Sequence, residues 1–151
     1  MKLSGVILAL FWLTNTTLAA NPTEVRAFFD KAIYNETEAI KLCKNYETSL
    51  DVIEQGYVAA TIITRAKFVI NPYKKYAYFE QGKIKLEALL NKYPDEVELR
   101  FIRYMIQTNI PSFLGYKSDL KTDRLFLVTQ VTAIKDQDLK TRITAYLAAK
   151  K

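Results

Sequence analysis

Residues 71–104 read NPYKKYAYFEQGKIKLEALLNKYPDEVELRFIRY, and the spacing of their apolar side chains sets the fold class. Tyr76, Phe79, Lys83, Leu86, Leu90 and Tyr93 recur at steps of three and four, the period of an amphipathic helix, with only Lys83 interrupting the apolar stripe. Asn71-Pro72 opens this helix, because proline is tolerated in a first turn and the residue before it resists the helical conformation. Gly82 lies mid-helix, where it costs about 1 kcal/mol relative to alanine, so its presence predicts a close approach by another helix. Tyr76 and Tyr93 read as core. Pro94-Asp95 ends the helix and caps the next, expected over 96–109.

Outward from this segment the same period continues. Pro22-Thr23-Glu24 opens a first helix with Val25, Phe28, Phe29, Ala32 and Ile33 at helical spacing. Asn35 stops it and caps a second over 36–46, with Ala39, Ile40, Cys43 and Tyr46 on one side. Ser49 caps a third. Its apolar stretch from Tyr57 to Ile63 suits a strand by propensity, but its length and Ala59-Ala60 favour a buried helix. A loop from Ile110 to Tyr116 separates the fifth helix from two more, about 118–135 and 137–150, joined near Asp136. No alternating stretch of useful length is present. The expectation is an all-α fold of about seven helices, stacked as antiparallel hairpins. Gly82, Leu86, Leu89 and Pro94 match the second helix of a tetratricopeptide repeat, although no first-helix signature precedes them.

Composition removes several chemistries. With no His there is no Ser-His-Asp or Cys-His pair and no His-ligated zinc. A single Cys excludes an internal disulfide and thiolate clusters. The four glycines are too scattered for a phosphate-cradling loop. The chain reads as a non-enzyme with no cofactor. Cys43, beside Ile40, Leu42 and Tyr46, reads as a buried structural thiol.

The first residues carry the clearest address. Lys2 precedes an apolar run from Leu3 to Leu13, followed by a polar patch and then Leu18-Ala19-Ala20, the layout of a secretory signal peptide. The run is about half the length a membrane span needs. Thr17 and Ala19 suit a cut after Ala19, making residues 1–19 a signal peptide and 20–151 one helical domain, periplasmic or secreted. Lys2 is the only charge lost, so the remainder carries 21 basic and 16 acidic side chains, net +5. The bases alternate with acids instead of forming a stripe, which argues against nucleic acid and allows at most weak contact with an anionic membrane surface.

The segments 71–104 and 107–126 together resemble an uncharacterised family of small exported bacterial proteins of the Bacteroidota type. The likeness rests on Asn71-Pro72 with Lys74-Lys75, Phe79-x-x-Gly82-Lys83, Glu98-x-Arg100-x-x-Arg103, and Asn109-x-Pro111-x-Phe113-Leu114-Gly115-Tyr116. It implies an exported, helical, tetratricopeptide-like domain and carries no catalytic residue across.

Within those motifs Glu96, Arg100, Arg103 and Gln107 fall on one helix face, with Glu96 and Arg100 spaced for an ion pair. Two readings are open for the arginines: forks offered to a partner's carboxylate or phosphate, or donors that brace the adjoining loop. In the loop, Phe113 and Leu114 are expected to plug into the core, Gly115 to supply a positive φ, and Tyr116 to do either. Asp119 and Asp123 read as caps. Arg100, Arg103, Gln107 and Tyr116 are thus the candidate binding residues. The leading expectation is an interaction or scaffold module for an envelope protein; the alternative is a small-molecule or lipid binder with a Tyr- and Ile-lined pocket between helices.

Overall fold

A computed structural model describes residues 22–150, and every regular element among them is helical: α1 (Pro22–Ala32), α2 (Glu36–Tyr46), α3 (Val52–Arg65), α4 (Pro72–Lys92), α5 (Val97–Asn109), α6 (Leu120–Gln130) and α7 (Gln137–Ala149). The signal-peptide reading of residues 1–19 lies outside the described residues. No helix among those described is long and apolar enough to cross a membrane.

The helix starts are set by short polar side chains that accept from otherwise unpaired backbone N–H groups. Asn35 Oδ1 takes the amide of Glu38, Asn71 Oδ1 those of Tyr73 and Lys74, and Asp136 Oδ1 that of Leu139. Two caps differ from the sequence expectation. Asp51, not Ser49, caps α3 by accepting from Ile53 and Glu54 at 2.9 Å; Ser49 instead accepts from the Asp51 amide and donates to Glu54. Glu96 rather than Asp95 caps α5. The sixth helix is also shorter than expected, giving way after Gln130 to a 3-10 turn over Val131–Ala133.

Consecutive helices pack as hairpins, and α3 also meets α1 and α5. The tightest of these contacts is α3 on α4. A methyl group added at Gly82 would lie 2.5 Å from both the Ala59 carbonyl oxygen and Ile63 Cγ1, so this pair of helices can meet only over a hydrogen. The buried stripe of α4 is Phe79, Gly82, Leu86 and Leu90. Tyr76 and Tyr93, expected in the core, are 57% and 39% exposed. The reason is length: α4 has 21 residues against 14 in α3, and the two ends of its stripe run past the partner.

Two apolar clusters form the interior. The larger joins α1 to α5 and the side chain of Tyr116; the smaller lies between α5, α6 and α7 around Phe101, Leu127 and Ile143. The α5 helix serves both, sending Leu99, Ile102 and Ile106 into one and Phe101 and Tyr104 into the other. A helix used on both sides keeps little solvent face, which is why Glu98, Arg103 and Gln107 are buried on it. The first and last helices are tied together as well. Arg26 on α1 pairs with Asp138 on α7, and Arg142 on α7 pairs with Asp30 on α1. A linear array of repeats makes contacts only between neighbours, and this closure departs from it.

Candidate functional site

Of the four residues singled out from sequence, Arg103, Gln107 and Tyr116 are buried and Arg100 is half-buried; Asp123 joins the two arginines and Glu87 joins Arg103 to Tyr116, while Gln107 stands apart from these contacts. Arg103 donates from Nε to Asp123 Oδ2 at 2.6 Å and from Nη2 to Asp123 Oδ1 at 2.9 Å, a two-point pair linking α5 to α6. Its third nitrogen reaches Glu87 on α4 at 3.0 Å. Burial alone would weaken this guanidinium's hold on its proton; the hydrogen bonds and charge of Asp123 outweigh that and raise its pKa. Arg100 does not pair with Glu96. It donates to the Pro94 carbonyl at 2.6 Å and to Asp123 at 3.2 Å, and it stacks on Phe126. Asp123 is completely buried between the two arginines and is an ion-pair partner rather than a cap.

Tyr116 donates to the Glu87 carboxylate and packs edge-on against Phe79. Burial and the neighbouring Glu87 charge both hold its hydroxyl protonated far above the ordinary range. Gln107 is fully buried, and neither end of its carboxamide has a hydrogen-bond partner. The expected binding face is therefore a brace among α4, α5 and α6. With three guanidinium nitrogens of Arg103 engaged and 8% of the residue exposed, no fork is turned outward for a partner.

A second ionic group occupies the other side of α5. Arg26 pairs with Glu98 at 2.6 and 2.7 Å and reaches Asp136 at 2.8 Å and Asp138 at 3.0 Å, while the Tyr57 hydroxyl donates to Glu98. Burial and the Glu98 charge keep Tyr57 protonated. Every charge in this group has an opposite charge beside it, and its arrangement is structural.

Among the described residues the surface also carries a groove of about 830 Å³ at one end of the bundle. The C-terminal ends of α1, α3, α5 and α7 meet there with the N-terminal end of α4 and the 110–114 loop. Its floor is apolar, formed by Phe29, Ile63, Phe79 and Ile106. The walls carry aromatic rings that face water: Tyr34 at 82% exposure, Tyr76, and Phe113 at 86%. Phe113 was expected in the core. The 3-10 turn over Ser112–Leu114 and the left-handed Gly115, φ 63°, instead return the chain so that Leu114 is half-buried and Tyr116 buried, leaving Phe113 outside.

One wall is fixed by Tyr146. Its ring stands edge-on to Phe101 and Tyr104, its hydroxyl lies 2.6 Å from Thr108 Oγ1, and Asn109 donates to it at 2.7 Å. Lys67, Lys75 and Lys150 also line the groove, and no Asp or Glu among the described residues does. Lys67 lies over the Tyr34 ring at 5.5 Å, and its partial desolvation lowers its pKa.

A smaller hollow of about 420 Å³ lies between α2, α3 and α4, with Cys43, Lys44, Arg65 and Lys85 on its lining. Cys43, expected to be buried, is half-buried at this hollow; desolvation still pushes its thiol up, away from the reactive thiolate. Among the described residues no cluster of three or more Cys, Asp or Glu side chains is placed to hold a metal ion. The chain matches no protein-family model, no curated protein and no solved structure, so what the groove can hold follows from its own residues.

Proposed function

We propose that this is an exported, non-enzymatic binding protein whose working surface is the groove at the end of the bundle, and that its ligand is a small molecule with a substantial apolar body. The observation that carries this reading is the groove itself. Its volume falls inside the range of about 300–1,000 Å³ typical of small-molecule sites, its floor is apolar, and its exposed rings stand on α4, on the turn after α1 and on the loop after α5. Monomeric proteins rarely leave such a patch of aromatic side chains in water without a use for it. The geometry favours the groove over docking through Arg100 and Arg103, because Arg103 is buried with three nitrogens engaged and Arg100 is paired with Asp123 and the Pro94 carbonyl.

The test is titration of the processed protein with N-phenylnaphthylamine, a neutral dye that fluoresces in apolar sites, alongside native mass spectrometry for a copurifying organic molecule. Saturable binding at one site is expected. Phe113→Ala should weaken it about tenfold, since one exposed ring contributes roughly 1.5 kcal/mol when covered. Because Phe113 faces water, that substitution leaves the fold intact. No saturable binding, or binding unchanged by Phe113→Ala, would overturn the proposal.

A further inference from the structure

From the charges around this groove we infer that the ligand is an anionic single-chain amphiphile, a free fatty carboxylate whose chain lies along the apolar floor and whose head meets Lys75 and Lys67. The inference rests on the groove reading above and narrows it to one chemical class.

Three observations support it. First, the groove's charged lining is of one sign: Lys67, Lys75 and Lys150, with no acid among the lining residues. Among the described lysines only Lys41, with Glu38, and Lys83, with Glu80, are ion-paired, so the three groove lysines, like the rest, keep no described counter-charge, and what sets them apart is that they share one apolar groove.

Second, helix stability does not explain all three. Lys67 follows the end of α3 and Lys150 caps the end of α7, where the negative end of the helix dipole favours a cation without any ligand. Lys75 stands at the opposite pole, near the N-terminus of α4, where the dipole disfavours a cation and where no acid is present in the first turn. An anion seated in the groove would relieve that position.

Third, the lysines are set beside the apolar surface rather than away from it. Lys67 lies against the Tyr34 ring and is partly desolvated, and Lys150 is steered to the rim by Asn109, 3.4 Å from its Oδ1. Lys75 directly precedes Tyr76, which shares the groove lining with it. Apolar floor, aromatic walls and an unneutralised cationic rim together match a molecule with one long apolar chain and one negative end.

The experiment is displacement of N-phenylnaphthylamine from the processed protein by dodecanoate, dodecanol and dodecyltrimethylammonium, each below its micellar concentration. Dodecanoate should displace the dye about tenfold more tightly than dodecanol, and the ammonium compound least well. Lys75→Glu should erase the preference for dodecanoate over dodecanol, and Lys67→Gln should reduce it. An acid at position 75 suits the helix terminus, so the first variant keeps the fold.

Equal displacement by dodecanoate and dodecanol would overturn the charge inference and leave the groove reading standing. A preference that survives both lysine variants would overturn the assignment to those residues. No dye binding at all would remove both readings together. Flotation with phosphatidylglycerol vesicles, without displacement by monomeric dodecanoate, would overturn the free carboxylate in favour of a membrane surface.

Discussion

The guanidinium of Arg26 and the carboxylate of Glu98 meet as a two-point pair at 2.6 and 2.7 Å, joining α1 to α5 across 72 residues with both side chains out of water. Such a pair adds little net stability when intact, because desolvation offsets most of the attraction, but removing Arg26 leaves Glu98 buried alone, whereas removing Glu98 leaves Arg26 with Asp136 and Asp138.

Arg26→Met leaves Glu98 buried without an opposite charge and should therefore destabilise the protein by about 3–5 kcal/mol in urea unfolding. Glu98→Gln should cost less, because Arg26 keeps Asp136 and Asp138. Equal costs for the two variants would contradict the geometry.

The arginines of α5 should separate in the same assay. Arg103→Ala strips the fully buried Asp123 of its two-point partner and should cost about 3–5 kcal/mol. Arg100→Ala removes a more exposed contact and should cost about 1 kcal/mol. Equal costs would contradict the geometry.

At Gly82, helix propensity and packing pull in opposite directions. Alanine would gain about 1 kcal/mol of helix propensity. Its methyl group, though, would sit 2.5 Å from a backbone oxygen that cannot move without shifting α3. We expect Gly82→Ala to be destabilising by about 2 kcal/mol net. A melting temperature at or above that of the wild type would mean that the α3–α4 contact is looser than described.

Gln107→Leu should act in the reverse sense. The carboxamide is buried with neither end hydrogen-bonded, and a leucine of similar length removes that desolvation cost, so a gain of about 1 kcal/mol is expected on chemical denaturation. A loss would reveal a partner for the amide in solution.

Acid should weaken the α1–α7 closure through Asp136. Partial burial opposes its ionisation, but the Leu139 amide and the Arg26 guanidinium outweigh that and hold the carboxyl below its ordinary value of 3.8. A carboxyl depressed in the folded state contributes stability that is present above 3.8 and lost as the pH falls through its folded value. Asparagine caps a helix about as well as aspartate, so Asp136→Asn removes the charge while keeping the cap. The wild type should melt higher than this variant near neutral pH, and the difference should vanish in strong acid. A difference that persists there would place the effect in the cap instead of the charge.

Local features of the fold were legible in the sequence because they depend on residues within a turn or two of one another. Asn35 caps the helix it was expected to cap, Asn71-Pro72 opens α4, α7 starts from Asp136 at the expected joint, Gly115 takes the positive φ, and Gly82 marks the close approach. The misplaced cap at Ser49 is also local, since Asp51 two residues on offers a stronger acceptor to the same turn. The site was less legible. Arg100 has an acceptable local partner in Glu96, yet it goes to Asp123, 23 residues away, which periodicity along one helix cannot reveal.

By itself, then, the sequence determined the helices and their apolar stripes, because helical period, capping and proline placement act over a few residues. Only the tertiary structure decided which charges are internal and which rings face water. Those outcomes depend on α5 being enclosed between two cores, on α4 outreaching α3, and on α7 closing against α1. The same long-range packing turned the arginine face inward and left an apolar groove rimmed by three lysines that stand far apart along the chain.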